Sequence, residues 1–294
     1  MQNNQRWCVF SSFILKVLAL VFMTIDHIGV TLGMFYGENY WVVILLRMIG
    51  RLALPLFCFM IVEGALHTKN IGKYFLRLGI MATIISIALY VGETFVDEIS
   101  LRNQGNIFID LLLGAITIYL LKQNNKYLKG LVALPIIYTI LSFTATCLEN
   151  TGSYLIHWMP YFLRTQYDIY AMLLFLLFYF AHIFKDMFLD YHARQTGIAK
   201  EYLLGTALER NVLNLLSLGA VIFATLIFYL IGYVLPNSYV YWDINLQNYA
   251  MIAGAFLLLY NGKRGYNAKW FQYGSYIYYP LHIIIIFGII MLVS

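Results

Sequence analysis

The sequence predicts an all-α fold, a polytopic transmembrane helix bundle of about nine spans with the N-terminus in the cytoplasm. Three observations predict it: 62% of the 294 residues are hydrophobic against 11% charged, with a mean hydropathy of +0.74; apolar blocks of spanning length recur from end to end; and Lys and Arg gather in alternate loops. No stretch is long and polar enough for a separate soluble domain, so residues 1–294 read as a single multi-pass domain. The apolar block at 12–35 is too long for a signal peptide and lacks an Ala-x-Ala-type cleavage site.

The spans fall at about 12–35, 42–65, 73–92, 107–121, 128–147, 168–184, 212–235, 248–260 and 274–293, at roughly 20 apolar residues per crossing. The fourth and eighth are short. Residues 154–164, "YLIHWMPYFLR", are too short to span and carry Trp158, Pro160 and Tyr161, which predicts an interfacial or re-entrant piece. In this scheme Arg6, Lys69, Lys73, Arg77, Lys122, Lys126, Lys129, Lys185, Arg194, Lys200, Arg210, Lys263, Arg264 and Lys269, 14 of the 19 basic residues, fall on one side. That side is cytoplasmic. A tenth span would break the alternation. The asymmetry accounts for the net charge of +5 through a lipid bilayer, so no nucleic-acid partner is required. A multi-pass protein of this kind is expected in the inner (cytoplasmic) membrane.

No fixed-period repeat, and no matched pair of Gly/Pro-broken helices of the kind found in inverted-repeat transporters, stands out. Cys8, Cys58 and Cys147 are widely spaced without a CxxC pair, which favours packing over metal or redox chemistry. P-loop, Rossmann, GxSxG and HExxH patterns are missing. The histidines at 27, 67 and 282 lack ligand spacing, so no metal is expected.

Chemistry concentrates in the polar residues of the spans. Lys16, one turn inside a helix end, can snorkel, and His182 beside Lys185 is interfacial. Asp26, Arg47 and Arg51 differ, since each costs about 3 kcal/mol at a helix centre unless paired or wetted. The first span runs outward and the second inward, which puts Asp26, His27, Arg47 and Arg51 at similar depth. Arg47 and Arg51 share a helical face, and Gly50 admits a close neighbour. Pro55 cannot bond the carbonyl of residue 51, which predicts a kink there. Asn106 and Asp110, one turn apart, enter on the fourth span, and His282 follows Pro280 on the last. Four helices thus aim polar groups at one volume.

One reading is structural: buried ion pairs, Asp26–Arg51 or Asp110–Arg47, that lock the bundle. The other is chemical. A histidine beside a carboxylate is a general base, and guanidinium groups suit carboxylate, phosphate or oxyanion. That set fits acyl transfer. Glu63 and His67, with Lys69, Lys73 and Arg77 around them, form either a capped cytoplasmic helix end or a basic mouth for a phosphate-bearing donor such as acyl-CoA.

The stretches "LKVLALVFMTIDHIGV" (15–30), "RMIGRLALPLFCFMIVEGALHT" (47–68), "KYFLRLGIMA" (73–82), "GNIFIDLLLG" (105–114) and "YYPLHIIII" (278–286) resemble the TraX family in order and spacing. They cover the first four spans and the last, while 123–270 finds no match. The resemblance implies a multi-pass membrane protein tied to N-terminal acetylation of conjugative pilin, similar to acyltransferase family 3, which moves acetyl from cytoplasmic acetyl-CoA to extracytoplasmic glycans. It further implies that His27 with Asp26 lies at the acyl-transfer centre and that Arg47, Arg51, Glu63 and His67 belong to the shared core. The expected function is therefore a membrane acetyl-CoA-dependent O- or N-acetyltransferase. Acetyl-CoA is the co-substrate, and pilin or an envelope glycan the acceptor. His27 would act as base, oriented by Asp26; Arg47 or Arg51 would hold the oxyanion or donor phosphates; His282 would shape the pocket. The rival is a transporter of protons or an anionic solute.

Overall fold

A computed structural model describes residues 8–95, 105–150, 159–234 and 244–293. The described residues are helical almost throughout. Their single β-bridge joins Phe10 to Tyr260. The helices are α1 (Ser12–Tyr36), α2 (Trp41–Gly50), α3 (Ala53–His67), α4 (Ile71–Phe95), α5 (Ile107–Leu121), α6 (Lys126–Gly130), α7 (Ala133–Asn150), α8 (Asp168–Thr196), α9 (Ala207–Val234), α10 (Ile244–Gln247), α11 (Ala253–Leu258) and α12 (Lys269–Val293). Among the described residues six segments are long and apolar enough to cross a membrane: Ser12–Tyr36, Trp41–His67, Ile71–Gly92, Lys126–Leu148, Tyr161–Thr196 and Ala207–Tyr233. Ile107–Leu121 and Asn248–Leu258 are apolar but shorter. At 1.5 Å per residue a 15-residue helix reaches about 22 Å, below the roughly 30 Å of a hydrocarbon core.

Two expected spans are broken helices. The kink expected before Pro55 is a full interruption, with α2 ending at Gly50 and α3 starting at Ala53. Pro55 has no N–H for the carbonyl four residues back, and its ring crowds that carbonyl. The same letters recur, Gly50-x-x-Ala-Leu-Pro55 and Gly130-x-x-Ala-Leu-Pro135, and the same break separates α6 from α7. The span expected at 248–260 is a composite of α10, a 3-10 turn at Asn248–Ile252 and α11. The span placed at 168–184 extends to Thr196, since nothing helix-breaking intervenes before Gly197, which has a φ of 68°. Of the interfacial piece, 154–158 lie outside the described residues, and Tyr161–Leu163 form a 3-10 turn packed on α4.

The chain divides into two compact units, each built from separate segments. One comprises Met1–Met60, Leu177–Ile227 and Asn245–Ser294; the other comprises Ile61–Leu176 and Phe228–Ile244. In the first unit α1 packs on both α2 and α12. Its contact with α2 uses Gly29-x-x-x-Gly33: a Cβ on Gly29 would stand 3.0 Å from that of Leu46, and one on Gly33 3.3 Å from Val43. Small residues let helix backbones approach where lipid supplies no hydrophobic drive.

The start of α1 is tied to the segment before α12. Phe10 N–H donates to the Leu259 carbonyl at 2.9 Å, and the amides of Ser12 and Phe13 donate to the carbonyls of Lys263 and Arg264 at 2.9 and 3.1 Å. Amides at a helix start have no partner within the helix, and these bonds add to the cap in which Ser11 Oγ accepts from Ile14 N–H at 3.4 Å. Asn214 ties down the C-terminal end of α11, donating to the carbonyls of Leu258 and Tyr260 at 3.0 and 2.8 Å. Phe59 meets Phe178 and Tyr260 edge-on in this unit's core.

In the second unit α4 packs on α5, and α5 on α7. Gly105 and Gly114 lie tightly against Thr165 and the Phe175 ring.

Candidate functional site

The first unit brings together five of the residues singled out in the sequence: Asp26 and His27 from α1, Arg47 from α2, Arg51 from the break after it, and His282 from α12. Asp26 is buried. One of its carboxylate oxygens lies 3.3 Å from Arg51 Nη2 and the other 3.6 Å from Arg47 Nη1. Arg51 is buried, and Arg47 is partly exposed. Gly50 makes this pairing possible, because a Cβ there would overlap the Asp26 carboxyl group. Arg51, one turn after Arg47 and still with helical φ and ψ of −60° and −18°, reaches the same carboxylate. Of the ion pairs foreseen, Asp26–Arg51 forms, with Arg47 as a second partner. Two guanidinium groups thus converge on one carboxylate, and guanidinium is a group suited to an anion or an oxyanion.

His27 is oriented differently from expectation. Its partner is His282, with Nδ1 and Nε2 2.7 Å apart, whereas Asp26 faces the arginines. Consecutive helical residues diverge by about 100°, so neighbours in sequence do not share a target. The direction of the bond follows from the far side of His282, whose Nδ1 lies 2.8 Å from the Tyr278 carbonyl. A carbonyl only accepts, so His282 Nδ1 carries hydrogen. In the neutral ring Nε2 is then a lone pair, and His27 Nδ1–H donates to it. His27 Nε2 is left with an unshared lone pair. The relay ends inside one turn of α12, where His282 follows Tyr278 by four residues.

Aromatic rings hold the pair in place. Tyr278 stacks on His282 at 5.1 Å between centroids, and the Tyr279 ring stands edge-on to both imidazoles. Thr24 Oγ1, one turn before His27, lies 2.7 Å from the Tyr278 hydroxyl, and Thr31 Oγ1 donates to the His27 carbonyl at 2.8 Å. Sequence reading missed Thr24, Tyr278 and Tyr279. The available signal was the four-residue spacing of Tyr278 from His282 and the cluster of three tyrosines before it.

The other four candidates belong to the second unit. Asn106 caps α5, accepting from Phe108 N–H at 2.9 Å and donating to the Ala82 carbonyl and Ser86 Oγ at 2.7 and 2.9 Å. Asp110 accepts the backbone N–H groups of Gln166 and Tyr167, the nearer at 2.6 Å, just ahead of α8. Its carboxylate therefore serves as the anion that a helix start attracts. Nearby, the Thr165 hydroxyl is shared with Asp168 and Ser142. In the second unit Asn106 and Asp110 thus hold the entry to α8.

His67 Nδ1 lies 2.9 Å from the Glu63 carbonyl and 3.7 Å from its carboxylate, at the exposed end of α3. Lys122 Nζ donates to the Leu66 carbonyl at 2.9 Å. These are contacts of a capped helix end. No group of three or more His, Cys, Asp and Glu with metal-binding geometry occurs among the described residues.

The sequence model of the family described as "TraX protein" matches residues 11–290. A relative named "probable fimbrial assembly protein FimC, serogroup H1", from Dichelobacter nodosus, is 35% identical over 115 residues, covering 37% of this chain and 46% of that protein. An uncharacterized protein of Rickettsia prowazekii (strain Madrid E) is 33% identical over 99 residues, covering 28% of this chain and 35% of that protein. The chain spans less than half the length of these curated relatives. No solved structure matches.

Proposed function

We propose that this chain, which belongs to the TraX family, is a membrane-bound acetyltransferase that moves an acetyl group from cytoplasmic acetyl-CoA to an extracytoplasmic hydroxyl or amine. The observation that carries the reading is the hydrogen-bond relay from His27 through His282 to the Tyr278 carbonyl, which leaves His27 Nε2 as a base. On this reading the acceptor O–H or N–H gives its proton to His27 Nε2 and attacks the thioester carbonyl carbon. The resulting oxyanion faces the positive charge of Arg47 and Arg51. The C–S bond breaks, and the CoA thiolate takes the proton back from His27. While His27 is charged, the His282 lone pair and the carbonyl beyond it support the imidazolium. Asp26 sets the positions of the arginines and is not the orienting partner of His27.

The topology that goes with this reading has nine spans, a cytoplasmic N-terminus and a location in the inner membrane. The one-sided basic loops support it. The fimbrial assembly protein among the relatives favours pilin as acceptor over glycan.

The test is transfer of labelled acetyl from acetyl-CoA in membranes carrying His27→Gln protein shown to be folded. The expected result is loss of transfer. Full transfer would overturn the mechanism, and solute flux without CoA turnover would favour a transporter.

A further inference from the structure

We infer that the loop and helix start at residues 261–270, "NGKRGYNAKW", bind the phosphates and base at the nucleotide end of the acyl donor; this rests on the acetyl-CoA reading above. Lys263, Arg264 and Lys269 are exposed and form no ion pair among the described residues. The Arg210 side chain lies beside Gly262, and Lys16 sits over the Phe271 and Tyr276 rings at 5.6 and 5.4 Å. The loop and α12 carry no acid, since the sequence has no Asp or Glu between residues 244 and 294, while α9, which brings Arg210, also carries Glu209, paired with Lys185 at 2.8 Å. A cationic cluster without its own carboxylates attracts phosphate.

The loop is also held in shape. Its carbonyls accept from Ser12 and Phe13, and Lys263 N–H donates to Asn261 Oδ1 at 2.8 Å. Beside the cations stands an exposed ring pair, Tyr266 and Trp270, fixed by Trp270 Nε1–H donating to the Tyr266 hydroxyl at 2.8 Å. Trp270 is 68% exposed, and an aromatic face of this kind stacks a purine base.

Placement decides the assignment. α12 leaves this loop and α1 starts hydrogen-bonded to it; the two helices pack on each other and meet again at His27 and His282. From Ser12 to His27 is 15 residues and from Lys269 to His282 is 13, so the cations and the histidines stand about 20 Å apart along both helices. CoA has the same layout, with phosphates and adenine at one end and the thioester at the far end of an extended pantetheine arm.

The test uses the full chain in nanodiscs of zwitterionic lipid, with CoA and adenosine 3′,5′-bisphosphate as probes. Lys263→Ser/Arg264→Ser is expected to weaken binding of both at least tenfold with an unchanged melting temperature. The charge-preserving pair Lys263→Arg/Arg264→Lys and the comparison pair Lys69→Ser/Lys73→Ser should both bind as the parent does. The inference is overturned if the comparison pair loses CoA instead, or if Lys263→Ser/Arg264→Ser loses only its affinity for anionic-lipid vesicles. If the parent binds neither probe, the acetyl-CoA reading itself falls, and this site with it.

Discussion

His27 and His282 stand 255 positions apart in the chain and share one hydrogen bond of 2.7 Å between ring nitrogens. Its direction is fixed by a carbonyl on the far side of His282, and on the proposed mechanism His27 is the base and His282 its positioning residue. Replacing His27 by Gln removes the proton acceptor and should cost about 10²- to 10⁴-fold in acetyl transfer. Replacing His282 by Phe keeps a packed ring but leaves His27 without an oriented tautomer. That variant should lose activity while keeping its melting temperature and its affinity for CoA. Rates measured beside CoA binding in the same preparations check this, and an unchanged rate in His282→Phe would refute the relay.

Asp26 predicts a different phenotype. Its carboxylate lies between two guanidinium groups, one of them buried, and truncating it removes the counter-charge they share. Breaking a buried pair costs about 3–5 kcal/mol. Asp26→Ala should therefore lower stability sharply, with a smaller loss of specific activity per folded molecule from arginines no longer held in place. Thermal melts read against the amount of folded protein separate this from a direct catalytic role, in which specific activity per folded molecule would fall first.

Gly50 tests the same pairing without touching a charge. A methyl group there overlaps the Asp26 carboxyl, and overpacking of this kind typically costs about 1–3 kcal/mol. Gly50→Ala should be destabilised by that order. Gly79→Ala is the control, since a Cβ there meets nothing within 4 Å. Equal melting temperatures for the two would argue against the close approach of α1 and α2.

Parts of this were legible in the sequence for reasons that can be named. Pro55 marked the break between α2 and α3 because a missing N–H has a fixed consequence four residues earlier. Asp26 and Arg51 were legible as partners because isolated charges in apolar helices are costly. The partner of His27 was not legible. Sequence adjacency suggested Asp26, but the true partner comes from the last helix, and only tertiary packing brings it there. The partners of Asp110 were not legible for a related reason: a four-residue spacing from Asn106 defines a helical face and says nothing about which backbone amides that face meets. The division into interleaved units, with α3, α8 and α9 crossing from one to the other, left no compositional boundary in the chain.

Asp110 gives the last prediction, and it separates a helix cap from a catalytic acid. Its carboxylate receives the amides of Gln166 and Tyr167 ahead of α8. An amide oxygen can accept one of them, whereas a methyl group accepts none. Loss of an N-terminal cap costs roughly 0.5–2 kcal/mol, and leaving buried donors unsatisfied adds about 1–3 kcal/mol. Asp110→Asn should therefore melt close to the parent and Asp110→Ala well below it, and the Asn variant should keep most of its acetyl transfer per folded molecule. If Asp110 took part in proton transfer, the order would change: Asn, which cannot ionise, would lose activity as completely as Ala while remaining folded.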